Sequence, residues 1–274
     1  MPIWEPSSEV AGLDPGDVHV WAACLDDLPE AALWVPLAAD ERERGGRFHF
    51  ERDRRRFVTA RGLLRVLLGR YLDVDPAGLL FGYGPRGKPY LAECDELRFN
   101  LSHSGGLALL AFARGCELGV DVEQERPVPE LEGIVRTSFS SREAAELWRL
   151  GPDERGAAFF RCWTRKEAFI KATGDGLSRP LDAFDVTLAP GEPARLLGVR
   201  GEPEAALRFW LEDLRPAPGF AGALAVEGGA KHVVRRTWDQ SWEVRHGSGR
   251  AGRQDDLQGG LEPRGAVLDL AGGP

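Results

Sequence analysis

Two carboxylates separated by one valine stand in Gly119-Val120-Asp121-Val122-Glu123. Side chains alternate on an extended chain, so Leu118, Val120 and Val122 share one face and Asp121 and Glu123 the other. At strand spacing the two carboxylates lie roughly 7 Å apart, within reach of one ion. A hard cation such as Mg²⁺ suits them, since it takes oxygen ligands and keeps water and substrate phosphates in its shell. An ordinary solvent-facing strand edge would carry the same pattern. A second group is Trp163-Thr164-Arg165-Lys166-Glu167-Ala168-Phe169-Ile170-Lys171. On a helix, Trp163, Glu167 and Lys171 fall at i, i+4 and i+8 along one stripe. An indole beside a carboxylate and an ammonium is unusual for a core face. An amphipathic helix with a surface Glu–Lys pair, worth about 0.3–0.5 kcal/mol, is the plainer alternative.

A third group is Asn100-Leu101-Ser102-His103-Ser104-Gly105-Gly106, which reads as following a strand and closing on two glycines. Serine and histidine side chains with glycine amides would cradle an anion. Ser102 and His103 are adjacent, so on an extended chain they point to opposite faces and do not form a nucleophile–base dyad by themselves. Just upstream, the turn-rich Gly84-Pro85-Arg86-Gly87-Lys88-Pro89-Tyr90 offers Arg86 and Lys88. Between Glu41 and Arg65, nine arginines stand against four acids, a local balance of +5 in a chain of net charge −8. That run is either a solvated helix face or a patch for nucleotide phosphates or an acidic protein partner.

The elements that must position these groups follow from periodicity. Val18–Cys24 reads as a strand, and Arg52–Tyr71 as a helix with Phe57, Leu64, Leu67, Leu68 and Tyr71 at near-helical spacing. Three strands are expected at Leu97–Leu101, Leu107–Ala113 and Glu117–Glu123. Beyond Pro127 and Pro129, a helix over Ser141–Arg149 has Ser140 or Ser141 as its cap, and a longer one over Asp153–Thr173 stops at Gly174. Further strands are expected at Ala183–Leu188, Ala206–Leu211, Gly222–Glu227 and His232–Trp238. The stretches Gly105–Phe112 and Gly219–Val226 are weakly alike, which hints at duplication. Residues 239–274, rich in Gly, Arg, Asp and Pro, read as a flexible tail.

Bulk properties exclude several classes. An acidic chain is a poor nucleic-acid binder. Met1–Val10 lacks a basic-then-apolar leader, and no run approaches the ~20 apolar residues of a membrane helix. The four cysteines, Cys24, Cys94, Cys116 and Cys162, form no Cys-x-x-Cys pair. A soluble cytoplasmic protein with reduced thiols is expected, with neither nucleic acid nor membrane as partner.

Taken in order, G-K-P, N-L-S-H-S, G-V-D-V-E and W-x-x-K-E-A-x-x-K resemble the phosphopantetheinyl transferase superfamily. The length, and the interval from Asp121 to Glu167, resemble its Sfp-type branch, over roughly Val18 to Trp238. The resemblance implies an α+β fold of two similar halves, 1–125 and 126–238, forming an intramolecular pseudo-dimer in a monomeric chain. The short branch of the superfamily has one half per chain and trimerises. The resemblance further implies transfer of phosphopantetheine from coenzyme A to a serine of an acyl or peptidyl carrier protein, as in secondary metabolism. The metal would be Mg²⁺, with Mn²⁺ as a substitute. Asp121, Glu123 and Glu167 would be the metal ligands, Glu167 and Lys171 the catalytic pair, and Lys171 a neighbour of the transferring phosphate. Lys88, Ser102, His103, Arg44 and Arg56 would contact coenzyme A, although Glu41 stands where a basic residue is expected. The same carboxylates would also serve a Mg²⁺-dependent phosphoesterase, and a non-catalytic coenzyme A or carrier-binding module is the alternative from another class.

Overall fold

The computed structural model describes residues 1–7 and 9–238; the tail reading for 239–274 lies outside them. The first half of the chain holds β1 (Pro6–Ser7), β2 (Asp17–Cys24), α1 (Glu30–Trp34), α2 (Ala39–Gly46) and α3 (Glu51–Leu72). It continues with the hairpin β3 (Phe81–Tyr83) and β4 (Pro89–Leu91), then β5 (Leu97–Ser104), β6 (Leu107–Arg114) and β7 (Leu118–Gln124). The second half holds α4 (Leu131–Ser138), α5 (Ser141–Arg149), α6 (Pro152–Thr173), β8 (Phe184–Val186) and β9 (Leu196–Val199). It ends with α7 (Ala205–Arg208), β10 (Phe209–Leu214), β11 (Phe220–Glu227) and β12 (His232–Trp238). The fold is α+β, as expected.

The two long helices each bury one stripe on one sheet. Ala60, Leu63, Leu64, Leu67 and Leu68 of α3 pack against Trp21, Phe99, Leu110 and Phe112 of a five-stranded sheet ordered β1-β12-β2-β6-β5. Phe159, Trp163, Ala168 and Phe169 of α6 pack with Phe209, Leu211, Ala223 and Ala225 of a three-stranded sheet ordered β10-β11-β7. The two sheets face each other across a third core of Val18, Val20, Leu109, Ala111, Val120, Val122 and Leu224. The layers therefore run helix, sheet, sheet, helix. The weakly similar stretches of sequence fall on β6 and β11, each flanked on both sides within its own sheet.

The halves exchange their last strands. β7 comes from the first half but pairs antiparallel with β11 of the second, Asp121 opposite Ala223. β12 comes from the second half but pairs parallel with β2 of the first, Val233 opposite Val18. The Pro127–Pro129 stretch joins the halves, and a cut there divides the sequence without dividing the sheets.

The helix ends carry the expected signals. Ser140 caps α5 in a reciprocal box: its Oγ accepts from the Glu143 amide at 3.2 Å, and Glu143 Oε2 accepts from the Ser140 amide at 2.9 Å. Gly174 ends α6 in the left-handed region at φ 73°. Two expectations are corrected. Ala206–Leu211 begins as the helical turn α7 and becomes strand only from Phe209. Ser102–Ser104 does not follow a strand but belongs to it, because β5 extends to Ser104 opposite Leu107 of β6.

Candidate active site

The carboxylate-bearing strand and the Glu–Lys helix meet because Gly119 has no side chain. A Cβ there would lie 2.2 Å from the Ala168 carbonyl oxygen and 2.3 Å from the Ala172 amide nitrogen. The backbone of α6 thus rests directly on β7. The Asp121 and Glu123 side chains alternate to the same face as Gly119. Helical spacing brings Glu167 and Lys171 to that contact.

Asp121 lies at the centre, 3% exposed. Its Oδ1 accepts from Lys171 Nζ at 2.6 Å and from Ser102 Oγ at 2.8 Å, and Lys171 also donates to Ser102 Oγ at 3.0 Å. Its Oδ2 is buried and has no hydrogen-bond partner among the described residues. An unpartnered buried carboxylate oxygen is costly and calls for an explanation such as a bound ion. Glu123 is buried, and its Oε2 accepts from Ser104 Oγ at 2.7 Å. Glu167 is 8% exposed. Burial, and then the charge of Asp121, push its carboxyl up to about 7 against the opposing pull of Lys171. Burial alone would push Lys171 down, but Asp121 and Glu167 outweigh it and the ammonium is held above its ordinary value. Asp121, Glu167 and Glu123 all draw on Lys171, an arrangement that favours a further positive charge. Among the described residues no three His, Cys, Asp or Glu side chains close into a ready-made metal cage. Mg²⁺ does not require one, because it completes its shell with water and substrate oxygens. The donor set and the orphaned Oδ2 fit such an ion.

The other expected contacts lie apart from this cluster. His103 is exposed and shares a face of β5 with Phe99 and Leu101, which pack with the core under α3. Arg56 near the start of α3 forms a two-pronged pair with Asp26 at 2.8 and 2.6 Å, and both pack on Gly106 beyond the end of β5. Arg44 is exposed, its guanidinium 5.3 Å from the Phe57 ring centroid. Lys88 donates to Glu117 Oε2 at 2.6 Å, to Ala172 O at 2.8 Å and to Leu118 O at 3.1 Å. It thereby joins the loop between β3 and β4 to the last turn of α6, and all three of its hydrogens are engaged. Ser102 donates to Asp121, so its hydroxyl serves the carboxylate rather than an open anion cradle.

The basic run is more neutralised than its count suggests. Glu41, buried, accepts from Arg61 at 2.8 and 2.5 Å and from Arg65 at 2.5 Å. Arg54 pairs with Glu30 and Glu51, and Arg47 with Glu43. The acid at position 41 is thus the hub of a buried arginine cluster.

The helix block also splits. Trp163 is core, stacked on Phe159 at 5.9 Å. Lys166 is fully buried, paired with Glu143 at 2.7 Å and donating to Leu181 O and Phe184 O at 2.7 and 2.6 Å. Arg165, also buried, forks onto Asp213 at 2.8 and 2.6 Å. Only Glu167 and Lys171 of the block reach Asp121. Asn100, Ser104 and Gly119 were not among the expected site residues, and the period-two spacing of Asn100, Ser102 and Ser104 is the signal that marks them.

One strand and one helix from different halves thus build a buried carboxylate cluster with an unsatisfied oxygen and an ammonium, which a hard cation would fit. Residues 117–225 match the 4'-phosphopantetheinyl transferase superfamily, and residues 19–114 match the N-terminal region of 4'-phosphopantetheinyl transferase. The chain is 39% identical over 231 residues to the 4'-phosphopantetheinyl transferase HetI of Nostoc sp., covering 82% of this chain and 94% of that one. It is 34% identical over 152 residues to the transferase Sfp of Bacillus subtilis, covering 56% and 66% of the two chains. The holo-[acyl-carrier-protein] synthase structure from Thermotoga maritima is similar at 22% identity and a TM-score of 0.34, covering 42% of this chain and 64% of that one. The chain belongs to the 4'-phosphopantetheinyl transferase superfamily, in its Sfp-type branch.

Proposed function

We propose that this protein transfers 4'-phosphopantetheine from coenzyme A to a serine of an apo carrier protein, releasing 3',5'-ADP. The observation that carries the reading is the meeting of Asp121 from β7 with Glu167 and Lys171 from α6, one buried oxygen of Asp121 being left free for a cation. Asp121, Glu123 and Glu167 would hold Mg²⁺, or Mn²⁺ in its place. When bound, the ion supplies positive charge to the pyrophosphate and stabilises the departing nucleotide.

The chain's own residues divide the rest of the work. The acceptor serine is a weak nucleophile and needs a base. Glu167, beside Asp121 and Lys171, would take the proton from the serine hydroxyl. The bond from the serine oxygen to the β-phosphorus of coenzyme A forms as the bond from that phosphorus to the bridging oxygen breaks, and 3',5'-ADP leaves with the negative charge. Lys171, fixed by Asp121 and Ser102, stabilises charge on the transferring phosphate. On the α3 side, His103, Arg44 and Arg56 would contact the nucleotide phosphates, Arg56 while paired with Asp26 or by exchanging that partner. Lys88 could join them only by giving up one of its present acceptors. We read the two halves as a pseudo-dimer within a monomer, a reading that the exchange of β7 and β12 supports. We read the protein as cytoplasmic; among the described residues no helix is long and apolar enough to cross a membrane.

The test is to incubate the protein with coenzyme A, Mg²⁺ and an apo carrier protein, then to weigh the intact carrier. A carrier heavier by one phosphopantetheine group is expected. Hydrolysis of coenzyme A with an unchanged carrier would mark a phosphoesterase. Binding without either change would mark a non-catalytic module.

A further inference from the structure

β5 and β7 are outer strands of different sheets and are not neighbours in either. Side chains take the place of a backbone ladder between them. Asn100 Oδ1 accepts from the Val120 amide at 2.9 Å, Ser102 Oγ donates to Asp121 Oδ1 at 2.8 Å, and Ser104 Oγ donates to Glu123 Oε2 at 2.7 Å. The Gln124 amide closes the series by donating to Ser104 Oγ at 3.2 Å. The contacts step along both strands in the same direction, joining alternate residues of β5 to β7.

We propose that Ser102 and Ser104 are positioning residues for the carboxylates of β7, fixing which of their oxygens are presented to a divalent cation. The inference rests on the cation reading above. Each serine hydroxyl has one proton to donate. Ser102 receives Lys171 on a lone pair, which turns its proton toward Asp121 Oδ1. Ser104 receives the Gln124 amide, which turns its proton toward Glu123 Oε2. Asp121 Oδ1 is thus occupied from two sides, and Oδ2 is the atom left buried and free. With both hydroxyl protons committed to carboxylates, neither serine is set to donate to a phosphate. His103, on the other face of β5, is not part of this set.

The test measures Mn²⁺ binding by electron paramagnetic resonance on the full chain with coenzyme A present, beside the KM for coenzyme A. Ser102→Ala and Ser104→Ala are each expected to weaken Mn²⁺ binding about tenfold or more, the usual effect of losing a group that orients a metal ligand. At saturating Mn²⁺ the KM for coenzyme A should stay near wild type, and Ser104→Thr, which keeps the hydroxyl, should bind Mn²⁺ like wild type. Unchanged Mn²⁺ binding with a raised KM for coenzyme A would overturn the inference, since the serines would then be direct coenzyme A contacts. If an alanine variant melts early, the threonine variant carries the test: Mn²⁺ binding as weak as in the alanine variant would overturn it. Asp121→Asn separates this inference from the reading beneath it. If Asp121→Asn binds Mn²⁺ as wild type does, the cation site itself is misplaced. If it loses binding while both serine variants keep it, only the positioning role fails.

Discussion

Glu167→Gln should stabilise the metal-free protein while disabling it. Glu167 is 8% exposed and shares its surroundings with Asp121, so the folded protein holds its carboxyl at about 7 against 4.5 for an ordinary glutamate. Between those values the native state carries a proton that the unfolded chain has lost, so stability falls as pH rises through the window and stays level above it. Carried from 4.5 to about 7, at about 1.4 kcal/mol for each tenfold change in proton affinity, the penalty at pH 8 is about 3 kcal/mol. Glutamine cannot ionise and escapes this penalty, although it gives up its attraction to Lys171. A net gain of about 1–3 kcal/mol is therefore expected, or roughly 2–6 °C in Tm for a chain of this size. The assay is a thermal melt of both proteins in a chelator from pH 5 to pH 8. The difference between the two curves should open with rising pH, and Mg²⁺ with coenzyme A should close it by stabilising the wild type alone. A difference that stays constant with pH, or a variant that melts below the wild type at pH 8, would refute this account of Glu167.

Three other expectations follow from the geometry. Gly119→Ala would drive a methyl group into the backbone of α6, costing about 1–3 kcal/mol or more; transfer should fall with it, and a variant that melts and reacts like wild type would show that helix and strand are not in the contact described. Lys166→Met leaves Glu143 buried without its cation, and urea unfolding should show a loss of about 3 kcal/mol or more, partly recovered when Glu143→Gln is added. The arginines of α2 and α3 that remain exposed should make the apparent affinity for an acidic carrier fall as salt rises, measured as KM against ionic strength; a flat response would count against docking through them.

The elements around the site were largely legible because their periodicities are strong. The stripe of Phe57, Leu64, Leu67, Leu68 and Tyr71 marks α3, and the Ser140–Glu143 box and Gly174 mark the ends of α5 and α6. The alternation in Gly119–Glu123 placed Asp121 and Glu123 on one face correctly, but it could not show that both faces of β7 are covered. Small polar residues usually signal turns, so Asn100–Ser104 read as an exit from a strand, whereas their alternation serves a side-chain ladder to β7. The exchange of β7 and β12 depends on pairing across distant sequence and leaves no local trace. Charge counting failed around Glu41 for a similar reason. Arg61 and Arg65 meet that carboxylate only once α2 folds against α3, so the apparent excess of +5 overstates the free charge. Lys166 and Lys171 look alike in sequence, yet one is fully buried against Glu143 and the other turns to Asp121. Their separation by five residues on a helix puts them on different faces.

The central claim is that β7 and α6 form one chemical site, and the most direct measurement is single-turnover transfer to an apo carrier, read as carrier mass, for Asp121→Asn, Glu167→Gln and the double variant. Residues acting as a unit give strongly non-additive losses. The double variant is therefore expected to be no slower than the slower single one. Losses that multiply in the double variant would contradict the claim, because the strand and the helix would then be acting independently.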